Sequence, residues 1–149
     1  MTSPICKITF DKDNRLLRSS RYPLEYCPYK TQGYKFTTVP GKVWKLHFKE
    51  FALAPGSRID IYAGSETDHP LLTTFDRSSA VTGDFVIASN YMIIRFVAGA
   101  DTDTGFEIQV TSEGIKNTHN INAKGLLQLK FISFHFESKV INIVYSDSL

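Results

Sequence analysis

The stretch "VWKLHFKEF", residues 43–51, decides the fold. Trp44, Leu46 and Phe48 fall on one side of an extended chain, and Lys45, His47 and Lys49 on the other. Successive side chains of a strand point to opposite faces, so this is a strand with one buried face. A helix would scatter the same apolar residues around its circumference.

The alternation recurs on both sides of this stretch. "RIDIYAG" sets Ile59 and Ile61 against Asp60 and Tyr62, and "YMIIRFV" sets Met92, Ile94 and Phe96 against Tyr91 and Arg95. "GFEIQVTS" sets Phe106, Ile108 and Val110 against Glu107 and Gln109, and "DFVIAS" is a further short run. Turn residues separate the runs: "VPGK", "LAPGS", "AGSETDHP", "AVTG", "ASN" and "AGADTDTG". Many short strands at near-regular spacing predict an antiparallel β-sandwich. Parallel α/β architecture would give solid apolar runs in place of clean alternation.

A chain of 149 residues is enough for one domain with a full core. A formal net charge of +2 provides no field that would favour nucleic acid or an anionic membrane. Apolar runs are far too short for a helical membrane span, so membrane insertion is not expected. The first residues, "MTSPICKITF", lack the apolar core of a secretory signal. Two cysteines are too few for a disulfide-dense scaffold.

Several ordered pieces carry a resemblance. "SSRYPLEY", residues 19–26, is similar to a Ser-Pro-x-Tyr-Pro-x-x-Tyr segment, with Arg21 where the first proline usually sits. "YKFTTVPGKVWKLHFKEFAL" is similar to an aromatic strand, a Pro-Gly turn and an L-x-F-x-x-F strand. "SRIDIYAG" matches a strand ending in Asp-Gly, with Ala63 in place of the aspartate, and "ASNYMIIRFVAGADTDTGFEIQV" matches a Ser-Asn strand, its loop and a Gly-Phe strand. From about Cys6 to Ser112 the chain resembles a CUB domain, the extracellular jelly-roll-like sandwich of complement and astacin-type proteases, spermadhesins and secreted receptors. The resemblance implies an extracellular, secreted, non-catalytic recognition domain for a protein or glycan ligand, although this chain shows no signal peptide. Two other roles fit it: a structural module of a larger secreted protein such as a protease, and a small spermadhesin-like lectin.

The departures are as informative. Family members often carry two disulfides; Pro55 and Phe75 stand near the positions of the second pair. Cys6 is well placed for the first, but its usual partner position falls on Gln32, and Cys27 lies upstream of it. A Cys6–Cys27 bridge and two buried free thiols both remain open. The family's calcium carboxylates match Ala54, Ser57 and Gly99, so no metal or other cofactor is expected; Asp101 and Asp103 lie in the right loop without a partner. In "SSRYPLEY", Pro23 is expected to hold Tyr22 extended, with Tyr22 and Tyr26 covering one sheet face and their hydroxyls hydrogen-bonded at its edge.

No catalytic constellation emerges. His47 sits on the polar face of a strand and His69 in a turn, while His119 and His135 follow the sandwich. None has the spacing of a zinc pair, and no nucleophile elbow or phosphate loop is present. Recognition residues concentrate on loops at sandwich ends, which makes Ser65, Glu66, Asp68, His69, Asp101 and Asp103 the candidate ligand contacts. Lys42, Lys45, His47 and Lys49 form a basic stripe that is either a contact for an acidic partner or a solvated strand face.

Residues 1–112 thus form the sandwich domain, and 113–149 an extension. After the polar "EGIKNTHNINAKG" come "LLQLKFISFHF" and "KVINIVYS", apolar on two faces. They suggest a β-hairpin that covers a sheet edge or self-associates through 126–145.

Overall fold

The computed structural model describes residues 5–114 together with 131–132 and 143–144. Nine strands build two facing sheets: β1 (Thr9–Asp11), β2 (Leu16–Arg18), β3 (Thr31–Thr37), β4 (Lys42–Ala52), β5 (Arg58–Ala63), β6 (Leu71–Asp76), β7 (Asp84–Ile87), β8 (Tyr91–Val97) and β9 (Gly105–Gly114). One sheet has the order β1-β2-β9-β4-β7, the other β3-β8-β5-β6, and all pairs are antiparallel. Among the described residues there is no helix, and so none long and apolar enough to cross a membrane. The expected all-β sandwich is the observed fold. Two further strands, β10 (Phe131–Ile132) and β11 (Ile143–Val144), pair antiparallel with each other. The rest of 126–145, where self-association is expected, lies outside the described residues.

The alternation works as the opening stretch implies. Trp44, Leu46 and Phe48 of β4 are buried, and so are Phe106, Ile108 and Val110 of the neighbouring β9, with Val110 opposite Leu46 and Ile108 opposite Phe48. Ile59 and Ile61 of β5, with Met92, Ile94 and Phe96 of β8, supply the facing layer. Rings join the layers: Phe48 meets Phe75 edge-on at 5.0 Å, and Phe75 lies 5.1 Å from Phe85. Phe75, near an expected position of the second cysteine pair, is therefore a core residue that bridges the sheets by packing.

The segment 19–26 departs from expectation. It is wound into turns, with the Tyr22 N–H donating to the Ser19 carbonyl and the Leu24 N–H to that of Arg21. The two tyrosines consequently separate. Tyr22 is half-buried, while Tyr26 is 1% exposed and inserts between the sheets, its ring 4.9 Å from Phe96. Ser19 fastens the segment to β9: its backbone N–H donates to the Phe106 carbonyl, and its hydroxyl accepts the Phe106 N–H at 3.0 Å. That close approach needs a glycine at 105, where φ is +90° and a Cβ would sit 1.9 Å from the Ser19 hydroxyl.

Cys6 and Cys27 form a disulfide, with Cα atoms 5.6 Å apart. Gln32, at the position where the family resemblance expects the second cysteine, fastens the same segment by its amide. Its Oε1 accepts the Ile8 N–H at 2.8 Å, and its Nε2 donates to the Cys6 carbonyl. The N-terminal segment is therefore held twice, once covalently and once by a side chain acting as a strand backbone would. Replacing Cys6 and Cys27 by serine should cost about 3 kcal/mol by loop closure yet leave a folded domain. Gln32→Ala added to that pair should cost a further ~1 kcal/mol or more. Urea unfolding of the three forms, with non-reducing peptide mapping of the bridge, measures both.

Candidate functional site

Strand direction decides which loops can cooperate. Ala63 pairs with Met92 at one end of the β5–β8 ladder, and Arg58 with Val97 at the other. The loops 38–41, 64–70 and 88–90 therefore share one end of the sandwich, and 19–30, 53–57 and 98–104 share the other. Ser65, Glu66, Asp68 and His69 fall at the first end, Asp101 and Asp103 at the second. A strand of β8's seven residues separates them, roughly 20 Å at about 3.3 Å per residue. The expected ligand contacts are thus two groups, and they do not make one site.

At the first end the Ser-Asn pair of the sequence clamps two loops. The Ser89 hydroxyl donates to the Tyr91 carbonyl and accepts the Gly64 N–H at 3.2 Å, and the Asn90 side chain donates to the Thr38 carbonyl at 3.0 Å. Loop 64–70 is also tied internally. The Ser65 N–H donates to the Asp68 carbonyl, and the Asp68 N–H donates back to the Ser65 hydroxyl at 3.0 Å. His69 donates from Nδ1 to the Ser65 carbonyl and lies 5.6 Å from the Tyr91 ring. Ser65 and Asp68 therefore shape the loop, while Glu66 projects from it and pairs with Lys35 at 3.4 Å. Between loop and sheet lies a shallow groove of about 380 Å³ lined by Lys35, Thr37, Ser65, Glu66, Asn90 and Tyr91. Its lining offers an ammonium, a carboxylate, hydroxyls and an amide, a mixture suited to polar ligands.

At the second end, the positions matched to calcium ligands hold no carboxylate. Ala54 presents a methyl group, Gly99 has no side chain, and the hydroxyl of buried Ser57 accepts hydrogen bonds from the Tyr26 hydroxyl at 2.9 Å and the Gly99 N–H at 3.1 Å. The Asp103 carboxylate accepts the Thr104 N–H at 2.7 Å, and Asp101 is exposed. A hard cation requires several converging oxygens, most of them charged. This donor set does not fit one. No cluster of three His, Cys, Asp or Glu that could hold a metal occurs among the described residues.

Two members of the basic stripe, Lys45 and His47, have carboxylates as neighbours, while Lys42 and Lys49 are exposed. Lys45 lies 3.5 Å from Glu113 and 3.8 Å from Asp84, and His47 Nδ1 is 2.8 Å from the Asp84 carboxylate. On the same sheet face Arg18 pairs with Glu107 at 2.8 Å. Tyr22 stands near that carboxylate, and burial, reinforced by Glu107 and Glu50, raises its pKa. On the far sheet, hydrogen bonds from the Ser78 hydroxyl and amide hold the Asp76 carboxyl below its usual range.

One polar centre has no precedent in the sequence reading. Asp60 lies on the outer side of β5, yet its side chain is only 4% exposed. Arg58 Nε and Arg95 Nη2 both reach it at 3.2 Å, Thr74 donates at 2.9 Å, and the Arg95 guanidinium lies over the Tyr62 ring. Period-two spacing places Arg58, Asp60 and Tyr62 on one face, but only the β5–β8 register brings Arg95 opposite Asp60. Both arginines are partly exposed, so solvent moderates the pairing. Asp60→Ala should still cost about 1–3 kcal/mol, because it strands two guanidinium groups against a buried surface; Asp60→Asn should cost less. Chemical denaturation of both variants checks the order.

The fold has counterparts among solved structures. The CUB1-EGF-CUB2 domain of human MASP-1/3 superposes with a TM-score of 0.57 at 20% identity, covering 67% of this chain and 41% of that one. The full extracellular region of zebrafish Gpr126/Adgrg6 gives 0.60 at 18% identity, covering 74% and 15%. This chain thus spans less than half the length of either. At such identities the likeness shows the fold alone, but a sequence model of the CUB domain matches residues 6–110. Those residues include the disulfide and the nine strands to Val110, and the chain belongs to the CUB domain family.

Proposed function

We propose that this chain is a non-catalytic, extracellular recognition domain that takes a protein or carbohydrate ligand on the loop end bearing Ser65, Glu66, Asp68 and His69. The carrying observation is the groove lined by Lys35, Glu66, Ser65, Asn90 and Tyr91. Ser89 and Asn90 tie its bordering loops to the sandwich, so binding orders little that is not already ordered. The family, whose members are mainly modules of extracellular proteins, supports extracellular residence, and the Cys6–Cys27 disulfide agrees with an oxidising space. Asp101 and Asp103, at the opposite end, form a separate acidic patch with a lesser claim.

A second reading has its own support. The superposed chains are much longer than this one, with 41% and 15% of them covered. The domain then serves as a structural module beside other domains, and its groove contacts a neighbour in the same assembly.

A glycan array beside a pull-down from extracellular fluid, run with the intact chain and with Lys35→Ala and Glu66→Ala, tests the proposal. A bound ligand should lose about tenfold or more in affinity with either variant, equivalent to ~1.4 kcal/mol. Retained binding by both, with loss on Asp101→Ala, would move the site to the other end.

A further inference from the structure

The end of the sandwich built by residues 19–30, 53–57 and 98–104 raises a physical question. Loops of this kind need something to hold them together, and the charged ligands for a metal are missing. The structure assigns that role to two buried hydroxyls. We propose that Tyr26 and Ser57 form a neutral hydrogen-bond node that organises all three loops where a metal would otherwise do so.

The node links all three loops through a continuous set of hydrogen bonds. The Tyr26 hydroxyl accepts the Ala54 N–H at 2.9 Å and donates to the Ser57 hydroxyl at 2.9 Å. The Ser57 hydroxyl in turn accepts the Gly99 N–H at 3.1 Å. Two backbone bonds complete the circuit, from the Tyr29 N–H to the Gly99 carbonyl and from the Tyr26 N–H to the Asp103 carbonyl. Each of the three loops is therefore bonded to both others. Tyr26 is 1% and Ser57 2% exposed, so these bonds do not compete with water.

The positions matched to metal ligands are the very ones the node uses. Ala54 contributes its N–H, Ser57 its hydroxyl and Gly99 its N–H. Gly99 also leaves no room for a carboxylate side chain, because a Cβ there would lie 2.8 Å from the Gly56 carbonyl oxygen. That contact is with backbone, and relieving it means moving loop 53–57. The loss of the carboxylates and the tight passage of the two loops are thus one adaptation.

The node also fixes what this end displays. The node itself is uncharged, and the exposed side chains of these loops include Leu24 at 61% and Tyr29 at 75% beside the charged Glu25 and Asp101. Tyr29 is held at a φ of +60°, a conformation rarely adopted by a residue with a side chain, by its bond to Gly99. An intact node therefore keeps an aromatic ring presented to solvent.

Amide hydrogen exchange on the intact chain, in EDTA and in millimolar calcium chloride, tests the node alongside Tyr26→Phe and Ser57→Ala. In the unmodified protein the Ala54, Gly99 and Tyr29 amides should be protected in EDTA, and calcium should change neither that protection nor Tm. Tyr26→Phe keeps the ring against Phe96 and removes only the hydroxyl. It should speed exchange at Ala54 and Gly99 about tenfold or more while leaving Ile94 and Ile108 in the strands unchanged. Ser57→Ala should act chiefly on Gly99 and Tyr29. A calcium-dependent rise in Tm or loop protection in the unmodified protein would overturn the inference. So would Tyr26→Phe if it left Ala54 and Gly99 unaltered, or accelerated strand and loop amides alike.

Discussion

The pairing of β4 with β9 is the constraint on which the rest of the molecule rests. It runs from Lys42 opposite Gly114 to Ala52 opposite Gly105, across the centre of the larger sheet. One register slip would turn Trp44, Leu46 and Phe48 outward and bring Lys45 and His47 into the core, so the ladder tolerates no alternative. A single irregularity, between Phe48 and Glu50, resets the phase and lets Phe51 continue on the inner side, its ring 5.3 Å from that of Phe48. Once this ladder is fixed, β2 and β7 can add only to its free edges, and the connections leave in set directions. In the facing sheet the β5–β8 ladder separates the loops between the two ends.

What the sequence disclosed was local. Alternation in residues 43–51 and its repeats revealed the strands, because side-chain direction in a strand depends only on parity. The same parity carried more than was taken from it. If each strand crosses the sandwich once, the loops after β5 and β8 must leave at opposite ends. Ser65–His69 and Asp101–Asp103 could therefore have been separated by counting. Other features depended on pairings between distant residues. Nothing near Asp60 announces that Arg95 will lie across from it, and nothing in Gln32 marks it as a partner for the backbone of Cys6 and Ile8. Tyr22 and Tyr26 looked equivalent because an extended chain was assumed, whereas turns at Ser19 and Arg21 place one at the surface and one in the core.

Two departures from the family pattern share a logic. Uncharged groups occupy places where the family pattern expects cysteines. Gln32 supplies two hydrogen bonds at the place expected for a cysteine, and Phe75 fills space near the place of another. Neither introduces a buried charge, which would carry a desolvation cost. Both also demand tight geometry, since an amide or a ring stabilises only what it touches. Elsewhere Gly99 and Gly105 permit comparably close approach, each positioned where a Cβ would meet another segment.

The mutual neutralisation on the larger sheet's outer face bears on how this domain meets other molecules. Lys45, His47, Asp84, Glu113, Arg18 and Glu107 spend their fields on one another at contact distances. Such paired charges project little beyond a Debye length of about 8 Å at physiological ionic strength. Encounter through this part of the face is then governed by diffusion and by the fraction of collisions that arrive correctly oriented, not by long-range steering. Association through this paired part of the face is expected to depend little on salt, so that discrimination among partners there resides in how long each one stays.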